Sequence, residues 1–314
     1  MKPIRIGIAG TGKIAREQHI PAIRVNPAYE LVGCSHCASP VEGVTIYPTI
    51  EAMLEACPEI DAVAICSPPQ AHFGAARQAL ARGKHVLLEK PPCPTLLQLD
   101  QLEELARKAG ATLFQSWHAR HAAAVDPAEA WLKERVIRGG TIAWKEDVRR
   151  WHPGQTWIWQ AGGFGVFDAG INALSILTKI VPESVFVKSA DLHFPSNCDT
   201  PIAARALLAT AGGAEIAAEF DFRPAGETVW DIDIDTDRGL VSLSDYGNRL
   251  IVDGKRATGE AFNLEYAELY RRFAELVGER RSEVDRRPFE LVIDIFTLGR
   301  RFTVEPFENP GQKA

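Results

Sequence analysis

A glutamate and a lysine directly follow a short apolar run in the first third of the chain. Residues 86–88 are typical of a buried strand, Glu89 and Lys90 come next, and Pro91 and Pro92 then end the strand. A carboxylate and an ammonium group are thereby placed at the carboxyl end of a strand, the edge of an open α/β sheet at which ligands bind. Lys90 is therefore our first candidate for a catalytic residue.

A glycine-rich turn at the N-terminus indicates a nucleotide site on the same edge. The apolar run 4–9 leads into the pattern G-x-G-x-x-A, in which Gly10 permits a tight turn and Gly12 lets the backbone approach a pyrophosphate. The helix that follows offers free N–H groups and its positive dipole end to the phosphates. The residues predicted to contact the cofactor here are Gly10, Thr11, Gly12, Lys13 and Ile14.

The end of the second predicted strand bears on the choice of cofactor. Proteins that bind NAD usually carry a carboxylate there, which grips the ribose 2′-hydroxyl. This chain has Ser35 and His36 instead, which can hydrogen-bond a 2′-phosphate without a carboxylate to repel it. We therefore expect NADP as cofactor, with NAD also accepted. A surface loop whose polar residues contact nothing is the alternative.

Two further strand ends complete the predicted cofactor edge. Residues 62–66 are typical of a strand, and a polar, proline-containing loop follows. Its side chains should lie on the same edge as the glycine-rich turn. The residues added to the predicted cofactor site are Ser67, Pro68, Pro69, His72, Glu89 and Lys90.

A second set of candidates lies in the middle of the chain. Residues 150–159 contain three tryptophans and a histidine, and flat indole faces suit the C–H face of a sugar ring. Strand alternation over 141–149 places Glu146 on one face with Ile142, Trp144 and Val148, which is an unusual position for a carboxylate. We expect Glu146 to bind sugar hydroxyls. A buried glutamate paired with an arginine, and tryptophans that fill a core, are the alternatives.

The elements that must position these residues form two groups. Strands alternate with helices up to about residue 115, which predicts a doubly wound parallel sheet, and the domain boundary is placed at residue 120. Several β-like stretches follow in 121–314, and one of them, 228–236, alternates apolar with acidic residues. Two helices are predicted near the end, 264–277 and 289–300, with the last one packing back on the first domain.

Composition excludes several classes of function. The chain has 314 residues, 46% of them apolar, and a net charge of −6, which argues against a nucleic-acid or membrane-surface binder. There is no apolar run of about 18 residues and no signal-peptide pattern at the N-terminus, so a cytoplasmic protein is expected. The six cysteines are scattered, and we expect free thiols even for the pair Cys34 and Cys37.

Three motifs together resemble one family. The segments 7–15 (GIAGTGKIA), 67–72 (SPPQAH) and 83–91 (GKHVLLEKP) are similar to the glucose–fructose oxidoreductase, inositol dehydrogenase and rhizopine catabolism (Gfo/Idh/MocA) superfamily. The resemblance covers essentially the whole chain. It implies an N-terminal Rossmann domain, a C-terminal α+β domain with a large, mostly antiparallel sheet, and NAD(P)-dependent oxidation or reduction of a sugar or cyclitol.

A narrower resemblance implies roles for individual residues. Segments 144–159 and 165–176 are similar to the bacterial L-arabinose and D-galactose 1-dehydrogenases of this superfamily. The family pattern Asp-x-Gly-x-His appears here with Asn172 in place of the histidine, and an asparagine cannot carry a proton near neutral pH. Proton transfer is then left to Asp168 or Lys90, unless Asp168 only caps its helix. The residues implied to contact the sugar are Lys90, His118, Glu146, Trp151, His152, Asp168, Asn172 and Trp230.

The reaction implied is oxidation of a cyclic aldose at C1. Asp168 would take the proton of the anomeric hydroxyl, Lys90 would face it and hold that oxygen, and the product would be the aldonolactone. L-Arabinose, D-galactose and D-fucose are the expected substrates. Oxidation of a ring hydroxyl in a cyclitol or dihydrodiol, and a non-catalytic sugar sensor, remain alternatives. The acidic face of 228–236 is interpreted as a solvated sheet face rather than a metal site, with a subunit contact as the alternative, and a homodimer is compatible with it.

Overall fold

The computed structural model describes residues 2–37, 39–223, 228–257 and 264–308. The chain forms two compact units. The first comprises Met1–Trp117 and Tyr266–Asp285, and the second comprises His118–Glu265 and Arg286–Ala314. The first crossing of the chain between them falls close to the predicted residue 120. The return of Tyr266–Asp285 to the first unit differs from the prediction, which assigned all of 121–314 to the second domain.

The first unit is built on a parallel sheet with the strand order β3-β2-β1-β4-β5-β6. Its strands are β1 Ile4–Ala9, β2 Tyr29–Ser35, β3 Thr45–Tyr47, β4 Ala62–Ile65, β5 His85–Leu88 and β6 Leu113–Gln115. Its helices in the N-terminal segment are a π-helical turn Ala15–His19, α1 Ile20–Val25, α2 Ile50–Ala56, α3 Pro69–Ala81 and α4 Leu96–Ala109. This order is that of the dinucleotide-binding fold, and it confirms the predicted Rossmann domain.

Local sequence signals set several of these elements. β4 is buried along its whole length, as a central parallel strand requires. The hydroxyl of Thr95 accepts a hydrogen bond from the Gln98 amide and caps α4, as predicted, and Gly110 ends that helix in the left-handed region. The predicted and observed elements therefore agree most closely where residues close in the chain determine where an element begins and ends.

A helix from the C-terminal part of the chain completes the first unit. This helix, Glu265–Glu279, is α8 in chain order. Leu269, Tyr270, Phe273 and Leu276 recur at helical spacing and lie in the core that also contains Ile6 and Ile8 of β1. The burial of this apolar stripe explains why α8 belongs to the first unit.

The second unit is a nine-stranded sheet with the order β14-β13-β12-β11-β7-β10-β9-β8-β15. Only the pairs β7–β10 and β8–β15 are parallel among its described strands, so the sheet is mostly antiparallel, as predicted. The strands are β7 Ile137–Lys145, β8 Val185–Pro195, β9 Ala203–Thr210, β10 Glu215–Asp221, β11 Val229–Thr236, β12 Gly239–Ser244, β13 Arg249–Val252, β14 Lys255–Arg256 and β15 Gly299–Val304. The helices are α5 Val125–Leu132, α6 Val148–Trp151, α7 Phe167–Ile180 and α9 Arg287–Leu298.

The last helix differs from its prediction. α9 packs against β8 and α7 within the second unit, with Phe289, Val292 and Ile295 as its buried stripe. We expected it to return to the first domain, but that role belongs to α8. In the described part of the chain, no helix has both the length and the apolar character needed to cross a membrane.

Strand β7 is shorter than its alternating pattern suggests. It ends at Lys145, and Val148 begins the short helix α6, so Val148 does not continue the strand face of Ile142 and Trp144 as predicted. The cause is Asp147, whose carboxylate accepts a hydrogen bond from the Arg149 amide and caps α6. On β11 the predicted alternation is confirmed, because Ile232 and Ile234 are buried.

Candidate active site

The glycine-rich turn of the first unit has the geometry of a phosphate cradle. Gly10 has a φ of +91°, and a Cβ there would lie 2.6 Å from the Ser67 amide nitrogen. A Cβ at Gly12 would have no neighbour within 4 Å, so the backbone there is open to a ligand. Exposed Lys13 and half-buried Ile14 begin the helical segment that follows. The turn therefore needs its first glycine for the fold and its second for access.

Three hydroxyl groups lie at or just after strand ends on this edge. They are Thr11 Oγ1 after β1, Ser35 Oγ at the end of β2 and Ser67 Oγ after β4, and each is buried with no hydrogen-bond partner among the described residues. Buried hydroxyls are usually satisfied, and leaving one unsatisfied costs about 1–3 kcal/mol. A bound dinucleotide would supply partners at this edge, so the residues present fit NAD(P).

A cation that the sequence prediction missed lies beside the loop after β2: Arg16, from the π-helical turn Ala15–His19. Arg16 donates to the carbonyl oxygens of Thr11 at 3.0 Å and Pro40 at 3.1 Å, which holds its guanidinium beside this loop. His36 is exposed and has a positive φ of 54°. An arginine at this place suits the 2′-phosphate of NADP. Since Arg16 lies 19 residues from Ser35 in the chain, only the loop conformation reveals the proximity.

His72 connects two loops of the cofactor edge. Its imidazole nitrogens lie 2.6 Å from the Ser67 carbonyl oxygen and 3.1 Å from the Pro92 carbonyl oxygen. The side chain is buried, and burial lowers the pKa of His72 below its usual 6.5. Pro68 and Pro69 fix the start of the same helix, α3. These contacts favour a supporting role for His72, beneath the loops that would contact the cofactor.

Glu89 also turns into the protein. It is 3% exposed, and its Oε1 lies 3.0 Å from His19 Nε2, the Ser116 hydroxyl and the Tyr266 hydroxyl. Because these partners occupy the carboxylate, Glu89 is better placed to anchor the strand end than to contact the cofactor. Tyr266 is on α8, so this network also connects α8 to the cofactor edge.

Lys90 is held by the same network. Its backbone amide donates to Glu89 Oε2 at 2.9 Å, and the following prolines are buried. The peptide bond between Lys90 and Pro91 is cis. The side chain is half-buried at the carboxyl end of β5, the location predicted for it.

In the second unit, Glu146 is the centre of a polar cluster. It is buried directly after β7, with Oε1 3.0 Å from His152 Nε2 and Oε2 accepting from Trp230 Nε1 at 2.9 Å. The alternative of a buried glutamate paired with an arginine is therefore wrong. Glu146 instead orients an imidazole and an indole, and both are predicted sugar-binding groups.

His152 connects this cluster to Asp168. His152 Nδ1 lies 3.6 Å from Asp168 Oδ2, so one imidazole lies between two carboxylates. Asp168 is in the first turn of α7, but the cap position is Val166 and no side chain caps the helix. The capping alternative for Asp168 therefore fails, and its carboxylate is buried beside an imidazole. A carboxylate and an imidazole placed in this way can exchange a proton once a small side-chain movement brings them to hydrogen-bond distance, about 3 Å.

Asn172 lies one turn further along α7. Its Nδ2 donates to the Tyr246 hydroxyl at 2.7 Å, and its Oδ1 has no hydrogen-bond partner among the described residues. Tyr246 was not predicted from the sequence. It follows β12 in a turn that pattern analysis assigns no role.

Aromatic rings form a wall beside these polar groups. Trp230 contacts Trp151 at 5.2 Å between ring centroids and Tyr246 at 5.1 Å, and Trp144 lies directly opposite Trp230 in the β7–β11 pair. Rings at these distances and inclined to one another stabilise each other's placement. Indole and phenol rings also present the flat apolar surface that a sugar ring needs.

His118 joins the same wall from the start of the second unit. Its ring stacks on Tyr246 at 6.2 Å, and its Nδ1 lies 2.7 Å from Glu265 Oε2. Both side chains of this pair are buried, so Glu265 sets which nitrogen of His118 faces away from it. Glu265 was also missed, since it is 147 residues from His118 in the chain.

In the Cys-x-x-Cys pair of residues 34–37, Cys34 is a buried thiol. Burial raises the pKa of Cys34 to about 12, which disfavours the thiolate that metal binding or redox chemistry needs. All six cysteines are free thiols. Among the described residues, no group of three or more histidine, cysteine or acidic side chains is placed to hold a metal ion.

Comparison with known proteins gives matches over nearly the full chain. An oxidoreductase family with an NAD-binding Rossmann fold, GFO_IDH_MocA, matches residues 4–116. Galactose 1-dehydrogenase from Pseudomonas fluorescens is 45% identical over 307 residues, 98% of this chain and 99% of that protein. The crystal structure of a D-galactose-1-dehydrogenase from Rhizobium etli is 51% identical with a TM-score of 0.92, over 98% of this chain and 99% of that one.

A more distant structure shares the fold. A 3-ketoreductase from Actinomadura kijaniata, solved in complex with NADP and TDP-benzene, has 21% identity and a TM-score of 0.83 over 96% of this chain and all of that one. Similar backbones at this identity are compatible with different substrates, so the assignment of a reaction must rest on the side chains.

Proposed function

This chain belongs to the Gfo/Idh/MocA oxidoreductase family, and from that premise we propose that it is an NAD(P)-dependent aldose 1-dehydrogenase. Its substrates are D-galactose, L-arabinose and D-fucose, which it oxidises at C1 to the aldonolactone. The observation that carries the proposal is the buried line Glu146–His152–Asp168, with its tryptophan wall, in a chain 51% identical to a D-galactose-1-dehydrogenase.

The chemistry of the cluster supports a neutral, polyhydroxylated substrate. Carboxylate, imidazole and amide groups can each hydrogen-bond a hydroxyl, and the indole of Trp230 offers a flat apolar face. Charged substrates, such as sugar phosphates, would need arginines or lysines, whereas the predicted sugar-binding residues of the second unit are carboxylate, imidazole, amide and indole side chains. The three proposed sugars share the arrangement of hydroxyls from C1 to C4, so one set of contacts can serve all of them.

Proton removal is assigned to Asp168. Its buried carboxylate accepts the proton of the anomeric hydroxyl, and Lys90 stabilises the same oxygen through its ammonium group. The nicotinamide cofactor, held by the glycine-rich turn of the first unit, would supply the acceptor for the hydride that leaves C1. His152 is placed to take up the proton from Asp168 once its Nδ1, which is 3.6 Å away, moves to hydrogen-bond distance, and its other nitrogen is held by Glu146.

The cofactor assignment is NADP, with NAD also accepted. Ser35, His36 and Arg16 supply a hydroxyl, an imidazole and a guanidinium around the end of β2, where a binder of NAD usually presents a carboxylate. Arg16 adds a permanent positive charge to the predicted set. This charge favours the 2′-phosphate of NADP over the uncharged 2′-hydroxyl of NAD.

An initial-rate panel tests the proposal. D-Galactose, L-arabinose, D-fucose, D-glucose and myo-inositol are each offered with NAD⁺ and with NADP⁺, and products are identified by NMR. We expect the first three to be oxidised to lactones, with D-glucose, epimeric at C4, much slower. A ketone product would favour the cyclitol-type reaction instead. Absence of cofactor reduction with every sugar would favour a sensor.

A further inference from the structure

Tyr246 lies on a turn with unusual backbone geometry. The turn spans Asp245–Gly247 between β12 and β13, and Asp245 and Tyr246 have φ values of 53° and 59°. A bulky residue rarely adopts this left-handed region, and such positions persist where the surrounding structure holds the side chain in one place. The turn therefore indicates that the position of the Tyr246 side chain matters.

Packing fixes the ring of Tyr246 among site residues. The ring stacks on His118 with 13° between the planes and meets Trp230 at 83°, edge to face. Trp144 lies 5.1 Å away on a third side. A ring held on three sides cannot move its hydroxyl far, so that hydroxyl is a fixed point in the site.

The hydroxyl in turn fixes an amide. Tyr246 accepts a hydrogen bond from Asn172 Nδ2 at 2.7 Å, and this leaves Asn172 Oδ1 as the other end of the amide. Asn172 is 3% exposed, and this oxygen has no hydrogen-bond partner among the described residues. A buried acceptor without a donor is unfavourable in the free protein, and it calls for a ligand that donates.

We propose that Tyr246 is a positioning residue of the sugar site, which holds the Asn172 amide so that Oδ1 accepts a hydrogen bond from one hydroxyl of the bound sugar. The inference rests on the proposed function. If the amide turned over, it would present N–H groups to the same hydroxyl position. Tyr246 thus decides between an acceptor and a donor at that position, and it contributes to specificity without touching the reacting atoms.

Tyr246→Phe is the direct test, because it keeps the ring and removes the hydroxyl. We expect the KM for D-galactose to rise about tenfold, the loss of one well-placed hydrogen bond, with kcat and the KM for NADP⁺ within about twofold. Tyr47→Phe is the matched control, since it removes a phenol that contacts Cys57 in the first unit. An unchanged KM for D-galactose, or an equal rise in both KM values, would overturn the proposal.

Two further measurements separate positioning from a general structural role. In an Asn172→Leu background, Tyr246→Phe should have no further effect on the KM for D-galactose, because its action passes through the amide. With a set of monodeoxy-D-galactoses, the wild type should lose efficiency strongly for one sugar, and Tyr246→Phe should lose much less for that same sugar. The proposal would be contradicted if Tyr246→Phe raised the KM for D-galactose equally with and without Asn172→Leu, and if it left the loss for each deoxy sugar unchanged.

The remaining outcomes are also decisive. If Tyr246→Phe does not fold, Asn172→Leu takes its place in the deoxy-sugar experiment, and wild-type discrimination in that variant would overturn the proposal. Quenching of tryptophan fluorescence by D-galactose is measured in parallel. A wild type that binds the sugar without oxidising it contradicts the proposed function alone, whereas one that neither binds nor oxidises it contradicts both.

Discussion

The proposed cofactor residues of the first unit and the proposed sugar residues of the second are positioned in different ways. At the cofactor edge, a glycine turn and three hydroxyls close to strand ends form the site, and backbone geometry does most of the positioning. In the second unit, side chains position one another: Glu146 holds His152 and Trp230, and Tyr246 holds Asn172. The proposed dinucleotide site thus depends on a locally encoded turn, whereas the proposed sugar site depends on residues that only the fold brings together.

The largest loss of activity is expected from a substitution among the proposed sugar residues of the second unit. Asp168→Asn keeps the shape of the side chain and removes the proton acceptor, so kcat for D-galactose should fall by about 10²–10⁴. Asp235→Asn, at an exposed position of β11, is the control and should leave kcat unchanged. Steady-state rates measure both. A loss of less than about tenfold for Asp168→Asn would shift the role of base to Lys90.

The corresponding change on the cofactor side is Gly12→Ala. Since a Cβ there meets nothing within 4 Å, the variant should fold with an unchanged Tm, but its methyl group blocks the approach of a pyrophosphate. We expect the KM for NADP⁺ to rise at least about tenfold and the KM for D-galactose to stay the same. Gly74→Ala in α3, also with open space, is the control. An equal rise in both KM values would contradict the assignment of cofactor binding to the first unit and sugar binding to the second.

A smaller effect is expected from Arg16→Ala. Loss of the guanidinium should lower kcat/KM for NADP⁺ by about tenfold and leave kcat/KM for NAD⁺ within about twofold. Arg24→Ala, whose guanidinium binds the Glu42 carbonyl oxygen, serves as the control. Parallel losses with both cofactors would mean that Arg16 only supports the loop that carries Pro40.

The smallest effect is expected on the pH dependence of the Tm, through His85 of the first unit. Burial lowers the pKa of His85 below 6.5, and its Nδ1 accepts from the Thr112 amide at 2.9 Å. The folded state then binds fewer protons than the unfolded state, so this stabilisation is present above pH 6.5 and is lost as pH falls through the lowered pKa. The Tm should drop between pH 7 and pH 5, and less so in His85→Asn, whose carbonyl keeps the acceptor. His36→Asn, at an exposed position, is the control, and equal slopes for all three proteins would contradict this account.

The sequence predicted the cofactor edge because its signals are local. Gly10 and Gly12 are two residues apart, and Thr95 caps the helix that begins at the next residue. Lys90 follows its strand directly. Such features depend on backbone conformations that a few neighbouring residues determine, so they can be identified without the rest of the fold.

The missed features depend on long-range packing. Glu265 contacts His118 from a distant part of the chain. The position of Tyr246 depends on a left-handed turn that the local sequence does not predict. The early end of β7 had a signal that could have been used, since Asp147 is a common capping residue. For α8 and α9, both stripes are apolar at helical spacing, and the pattern alone does not say which core each one joins.

The transfer of the C1 hydrogen is the most direct test of the proposed reaction. D-[1-²H]Galactose is incubated with the protein and NADP⁺, and the reduced cofactor and the sugar product are analysed by mass spectrometry. We predict deuterium on the nicotinamide ring and an unlabelled galactonolactone. Deuterium retained on C1 of an oxidised sugar would show that another carbon reacts, and it would contradict the assignment of an aldose 1-dehydrogenase.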